Sequence, residues 1–255
     1  MNRRAFAPFL ALILVLISGC STTSSQSESV SSNTYSEPVS DDSEILQVTF
    51  VYDISLSART WTSGQITSTI KWVQKYLDKD VSISVETIDA FGGSQNCGKP
   101  TETFINGDGA NNPVTQGKEK EKKLQVFKTQ LTNWLTCERQ STDNEGGSDI
   151  NFSSFTGVEN LIIFSDGLLR MSRISNELVL NATTLSDQDA IARFKEFLLD
   201  NDDSSLAGAN VWVYGLGYQK SFTSSIGQEL ESFWRDVLTK LGAANISLSP
   251  SPSII

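Results

Sequence analysis

Asp53, Ser55 and Ser57 stand at alternate positions just after the apolar run Val48-Thr49-Phe50-Val51-Tyr52. That run is short, rich in β-branched and aromatic residues, and apolar on both faces, as a central parallel strand is. Residues two apart in an extended segment point to the same side, so one carboxylate and two hydroxyls aim at a point beyond the strand's carboxyl end. In an open α/β sheet, ligands bind there. Two later stretches carry the same kind of donor. Gly146-Gly147-Ser148-Asp149-Ile150 lies in a polar loop, and Ser165-Asp166-Gly167 closes the apolar run Asn160 to Phe164. Asp53, Ser55 and Ser57 offer only oxygen, which suits a hard cation such as Mg²⁺, with Mn²⁺ as a substitute. Taken singly, each has a plainer reading: a capped helix start for Asp53 and Ser57, a loop for Ser148 and a turn for Asp166. Asp89, Asp108 and Asp149 are further acids that read as solvated loop residues near the same rim.

The chain has no histidine, which removes Ser-His-Asp and Cys-His triads, His-containing zinc sites and His-ligated haem. Asp53-Ile54-Ser55-Leu56-Ser57 therefore cannot serve an esterase. A phosphatase that starts from an acid after an apolar strand needs a second acid two residues on, where Ser55 stands. No lysine lies in the three loops to activate a serine. Turnover is not expected. The net charge is −10, and removing a leader that holds Arg3 and Arg4 leaves 18 basic against 30 acidic residues, or −12. No basic stripe exists to neutralise phosphates, so a nucleic-acid partner is not expected. Gly215-Leu216-Gly217 lacks the remaining glycine and the helix that a dinucleotide site requires.

The elements that must position these residues follow from periodicity. Helical spacing of apolar residues predicts helices over Gln65 to Leu77, Lys118 to Cys137, Asp187 to Leu199 and Gln228 to Leu241. Strands are predicted at Val81 to Ile88, Asn160 to Phe164 and Asn210 to Tyr214, with a weak one at Thr101 to Ile105. Ala243 to Ile255, rich in Ser and Pro, reads as a tail. Strands alternating with helices imply an α/β fold with a doubly wound, mostly parallel central sheet flanked by helices.

Asp53-Ile54-Ser55-Leu56-Ser57 has the Asp-x-Ser-x-Ser pattern of von Willebrand factor type A domains, a Rossmann-like fold. The stretch around Ser148 resembles their second loop, where threonine is usual, and Ser165-Asp166-Gly167 is similar to their third, usually Thr-Asp-Gly. The resemblance covers roughly Glu44 to Ala244. It implies a metal-ion-dependent adhesion site in which Asp53, Ser55, Ser57, Ser148 and Asp166 hold Mg²⁺. A partner's Asp or Glu then completes the shell. Serine at 148 keeps the hydroxyl but loses the methyl that restricts its rotamers.

At the start of the chain, Asn2-Arg3-Arg4 precedes the apolar run Phe9 to Ile17, which has the length of a signal-peptide core and is too short to span a membrane comfortably. It ends in Ile17-Ser18-Gly19-Cys20, which resembles a bacterial lipobox. By that resemblance Cys20 is the first mature residue and carries diacylglycerol and an N-linked acyl chain such as palmitate, enough for stable anchoring. Ser21 after it suggests the outer membrane in a didermal cell. The expected organisation is a signal peptide at 1–19, the lipidated cysteine and a Ser-rich tether at 20–43, a type A-like domain at 44–244 and a flexible tail at 245–255. The tether's r.m.s. reach is roughly 25 Å. Outside the cytoplasm the remaining two cysteines, Cys97 and Cys137, form an even pair suited to a disulfide, the alternative being two buried thiols. The expected function is a membrane-anchored lipoprotein of the cell envelope that binds a protein partner through Mg²⁺. The alternative is a metal-independent structural or assembly module of an envelope complex.

Overall fold

The computed structural model describes residues 45–55, 58–88, 97–104, 113–141, 148, 150–171, 178–181, 183–199, 204–218, 223–252 and 254. All of them belong to the compact unit Asp42–Ile255. The lipobox and tether, and with them Cys20, lie outside the described residues, as do Ser57, Asp89, Asp108 and Asp149.

The centre of the fold is strand β1, Leu46–Asp53, buried on both faces from Val48 onward. Its neighbours are β2, Val81–Ile88, and β4, Asn160–Phe164, both parallel to it. β3, Glu102–Phe104, pairs antiparallel with β2 at one edge. β7, Asn210–Tyr214, and β8, Asn245–Ser249, extend the sheet in parallel on the other side, giving the six-stranded order β3-β2-β1-β4-β7-β8. The fold is thus α/β with a mostly parallel sheet. A separate two-stranded ladder pairs β5, Leu169–Met171, with β6, Leu178–Leu180.

The two faces of the sheet have separate cores because side chains alternate along each strand. Val48, Phe50 and Tyr52 of β1 and Ile162 and Phe164 of β4 face one layer of helices. These are α1, Thr62–Lys75, through Ile66, Ile70 and Val73, and α2, Pro113–Ser141, through Leu124, Phe127, Leu131 and Leu135. Val51, Leu161, Ile163, Val211 and Val213 face the opposite layer. That layer consists of α3, Gln188–Leu199, through Phe194 and Leu198, and α4, Ser224–Lys240, through Leu230, Phe233, Trp234 and Val237. Lys120 on α2 donates to the carbonyls of Leu77 (2.7 Å) and Lys79 (3.4 Å), closing the end of the α1 segment where those carbonyls lack helical partners. A disulfide joins Cys97 to Cys137 and ties the chain entering β3 to the last turn of α2.

Several boundaries differ from the sequence reading. The stretch 245–255, expected as a flexible tail, contributes β8 at Asn245–Ser249. Only Ile246 and Leu248 within β8 are strongly apolar, and both pack against the core shared with α3 and α4. Edge position supplies the rest: one flank of β8 bonds to β7 and needs no long apolar run. α4 starts at Ser224, four residues before the expected Gln228, because Thr223 caps it by accepting from Ile226 N–H at 3.5 Å. α2 starts at Pro113 rather than Lys118, with proline at the first helical position, where its missing N–H costs nothing.

Candidate functional site

Register places the acids. β1 and β4 pair in parallel with Tyr52 opposite Phe164, so the next residues, Asp53 and Ser165, emerge side by side at the carboxyl ends of the two central strands. The strand order reverses between β1 and β4, since β2 and β3 continue on one side and β7 and β8 on the other. Ligands of doubly wound sheets bind at such a switch point.

Asp53 is wholly buried. Its Oδ1 accepts from the Ser55 backbone N–H at 2.9 Å and from the Ser148 hydroxyl at 3.0 Å, and its Oδ2 accepts from the Ser165 hydroxyl at 2.7 Å. The Ser55 hydroxyl is bonded to it as well. Asp166 is also wholly buried, and its Oδ1 accepts from Leu168 N–H at 3.0 Å. Burial first, and the nearby Asp166 charge second, push the Asp53 carboxyl up to about 6, while the hydrogen bonds from Ser55 and Ser165 pull the other way.

The surrounding backbone is braced. Ser165 Oγ accepts from Gly167 N–H at 3.0 Å, and Trp234 Nε1 on α4 donates to the Gly167 carbonyl at 2.9 Å. Gly217 N–H donates to the Asp166 carbonyl at 2.9 Å. Arg170 N–H donates to the Ser148 carbonyl at 2.9 Å, which fastens that loop residue to β5. Gly167 has φ +78, and a Cβ there would run into Leu216 and Trp234. Gly215 has φ +98, and a Cβ there would run into the Trp61 ring. Both positions require glycine for conformation and for space.

Of the five residues named from the sequence, the structure brings Asp53, Ser55, Ser148 and Asp166 together, although 95 residues separate Ser148 from Asp53. Ser57 lies outside the described residues. Ser165 was not among the five, yet it holds Asp53 Oδ2 and steadies the turn before Asp166. Its hydroxyl beside the second acid was the visible signal, and its role depends on a strand register that the sequence does not display.

Comparisons with protein-family models, with curated proteins and with solved structures give no match.

Among the described residues, no cluster of three or more His, Cys, Asp and Glu forms a metal site. The donor set here is two carboxylates with hydroxyls, and it fits a hard divalent cation on chemical grounds. Two acids are buried near each other; burial first and their repulsion second raise Asp53, and a cation offsets the repulsion. A carboxylate has about four acceptor directions, and on Asp53 the protein's own donors fill them. A hydroxyl that gives its hydrogen to Asp53 keeps its lone pairs for a cation, so Ser55 and Ser148 can present oxygen while Asp53 supplies charge behind them.

Proposed function

We propose that this protein is a lipid-anchored lipoprotein of the bacterial cell envelope whose α/β domain binds a protein partner through a divalent cation. The observation that carries the reading is the pair of wholly buried carboxylates, Asp53 and Asp166, at the switch point of the sheet, with Ser55 and Ser148 bonded to Asp53. The resemblance of the three loops to von Willebrand factor type A domains supports it. Ser55, Ser148 and Asp166, with Ser57 from the same motif, would hold Mg²⁺ or Mn²⁺, and Asp53 would supply charge to the ion from behind the hydroxyls. When bound, the ion supplies an electrophilic centre for a carboxylate from the partner's Asp or Glu. Neutral hydroxyls among the ligands leave more of its charge for that carboxylate than an all-acid cage would. The lipobox ending at Cys20 supports attachment to a membrane, with the Ser-rich stretch holding the domain off its surface.

One observation favours a second reading, a metal-independent assembly module. The acceptor directions of Asp53 are met by protein donors, so its carboxylate is satisfied without an ion. Thermal unfolding with and without Mg²⁺ or Mn²⁺ separates the two. The cation reading expects a rise equivalent to about 2.7 kcal/mol at a hundredfold excess over Kd, abolished in Asp53→Ala. No rise in the wild-type protein would leave the assembly reading standing.

A further inference from the structure

The charge of the domain is unevenly placed. α1 and α2 together hold eight lysines and arginines against three acids, whereas α3 and α4 on the other face of the sheet hold four against five. This basic layer stands in a chain whose net charge is −10. Neither helix alone carries a continuous basic stripe, but packed side by side they make one. Gln74 of α1 lines one surface depression with Lys118, Glu121, Lys122 and Gln125 of α2. Lys71 and Lys75 flank Gln74 on α1. All four lysines are exposed, and among the described residues no carboxylate forms an ion pair with Lys71, Lys118 or Lys122.

Apolar residues continue the row. Val114, Lys118, Lys122 and Val126 stand four apart, on one ridge of α2. Val114 is 65% exposed and Val126 47%. Lysines bracketed by exposed aliphatic groups suit a membrane interface, where ammonium groups meet lipid phosphate and the aliphatic groups reach the acyl boundary. A nucleic-acid backbone offers nothing to the valines.

The patch lies toward the end of the domain where the chain enters. Leu46, the first residue of β1, donates through its N–H to the Asp80 carbonyl at 2.8 Å, and Lys120 holds the nearby Leu77 and Lys79 carbonyls. Lys118 and Lys122 stand about 3 Å along α2 on either side of Lys120. The eight residues of β1, rising about 3.3 Å each, put Asp53 roughly 23 Å away at the opposite end. A surface that takes up the patch therefore leaves the acid cluster uncovered.

We propose that this α1–α2 face docks on the anionic phospholipid headgroups of the membrane that carries the protein. The identity of that surface rests on the lipid-anchored reading above. At physiological salt the Debye length is about 8 Å, so near the surface the lysines that face it count and the acids on the far side of the domain are screened. The Ser-rich stretch lets the domain stand off a neutral surface. On an anionic one the lysines bring it down, with Asp53 and Asp166 left open to a partner.

The test uses the full-length protein reconstituted in phosphatidylcholine vesicles with and without phosphatidylglycerol. A trace of dansyl-labelled lipid accepts energy from the tryptophans, all five of which lie in the domain. Transfer is expected to rise with phosphatidylglycerol and to return to the phosphatidylcholine level in high salt. The combined variant Lys71→Gln, Lys75→Gln, Lys118→Gln and Lys122→Gln should cut the docked-to-free ratio at least about tenfold, because each lysine near an anionic surface adds to binding and Glu121 offsets only part. The combined variant Arg193→Gln, Lys195→Gln, Arg235→Gln and Lys240→Gln on α3 and α4 changes the net charge equally and should leave the ratio within about twofold. Transfer that ignores phosphatidylglycerol, survives the α1–α2 variant or is lost equally in the α3–α4 variant would overturn the proposal. A response to duplex DNA without one to phosphatidylglycerol would assign the face to nucleic acid and overturn it as well. Flotation with pure phosphatidylcholine vesicles reads the anchor alone. If the protein does not float with them, the anchor reading fails, and titrating phosphatidylglycerol vesicles into the unanchored protein decides the patch by the same tenfold loss.

Discussion

At the scale of single residues, Asp53 links structure to pH. Its carboxyl is raised to about 6 by burial and by the Asp166 charge. A raised carboxyl binds protons in the folded state that the unfolded chain has already released. Its stabilising contribution is therefore complete below the ordinary value of 3.8 and is lost as pH rises through about 6. The metal-free wild-type protein should lose stability over that window relative to Asp53→Asn, measured by urea unfolding in a chelator. Saturating Mg²⁺ should flatten the difference, because the ion offsets the charge that deprotonation creates. Gly167 is a second residue whose role is specific. Gly167→Ala combines a left-handed φ with contacts on Leu216 and Trp234, so it should cost about 2–4 kcal/mol of unfolding free energy. A cost under about 0.5 kcal/mol would show that the third loop is not braced as described.

At the scale of elements, the disulfide is the strongest local constraint. Cys97 and Cys137 are 40 residues apart in sequence, and the bridge fastens the chain before β3 to the end of α2. The chain that leads to Ser148 leaves from that same helix end. Replacing both cysteines with serine should lower the unfolding free energy by about 2–4 kcal/mol, read by denaturant titration. The pair itself was legible from an even count in a chain expected to lie outside the cytoplasm. The helix starts were less so. Gly227 and Gly117 interrupt the apolar pattern of α4 and α2, while Thr223 as cap and Pro113 at the first turn extend the helices past them. β8 was hidden for a different reason: hydroxyl and amide residues alternate with Ile246 and Leu248, and only pairing with β7 makes that stretch extended.

At the scale of the molecule, the proposed anchor and the domain make separate predictions. Cys20→Ala should move the protein from the membrane to the soluble fraction on cell fractionation and abolish incorporation of labelled palmitate, while leaving the Mg²⁺ thermal shift intact. Retention of Cys20→Ala in the membrane fraction would overturn the lipid anchor. Among the described residues no helix is long and apolar enough to cross a membrane.

By itself the sequence determined the kinds of chemistry open to this chain. Having no histidine, with Ser55 two residues after Asp53, it left oxygen donors and little else in the three loops. Strand and helix periodicity determined an α/β fold, because burial on both faces of a parallel sheet writes apolar runs such as Val48 to Tyr52 and Asn160 to Phe164 directly into the chain. Only the tertiary structure decided which donors meet. Asp53 touches Ser165 and Ser148 because β1 and β4 pair in one register and the Ser148 backbone is held to β5. A slip of one residue would turn Asp53 to the other face of the sheet, and nothing local in its sequence prevents that. The two hydrophobic cores, filled from opposite faces, hold the register and so bring the oxygens together.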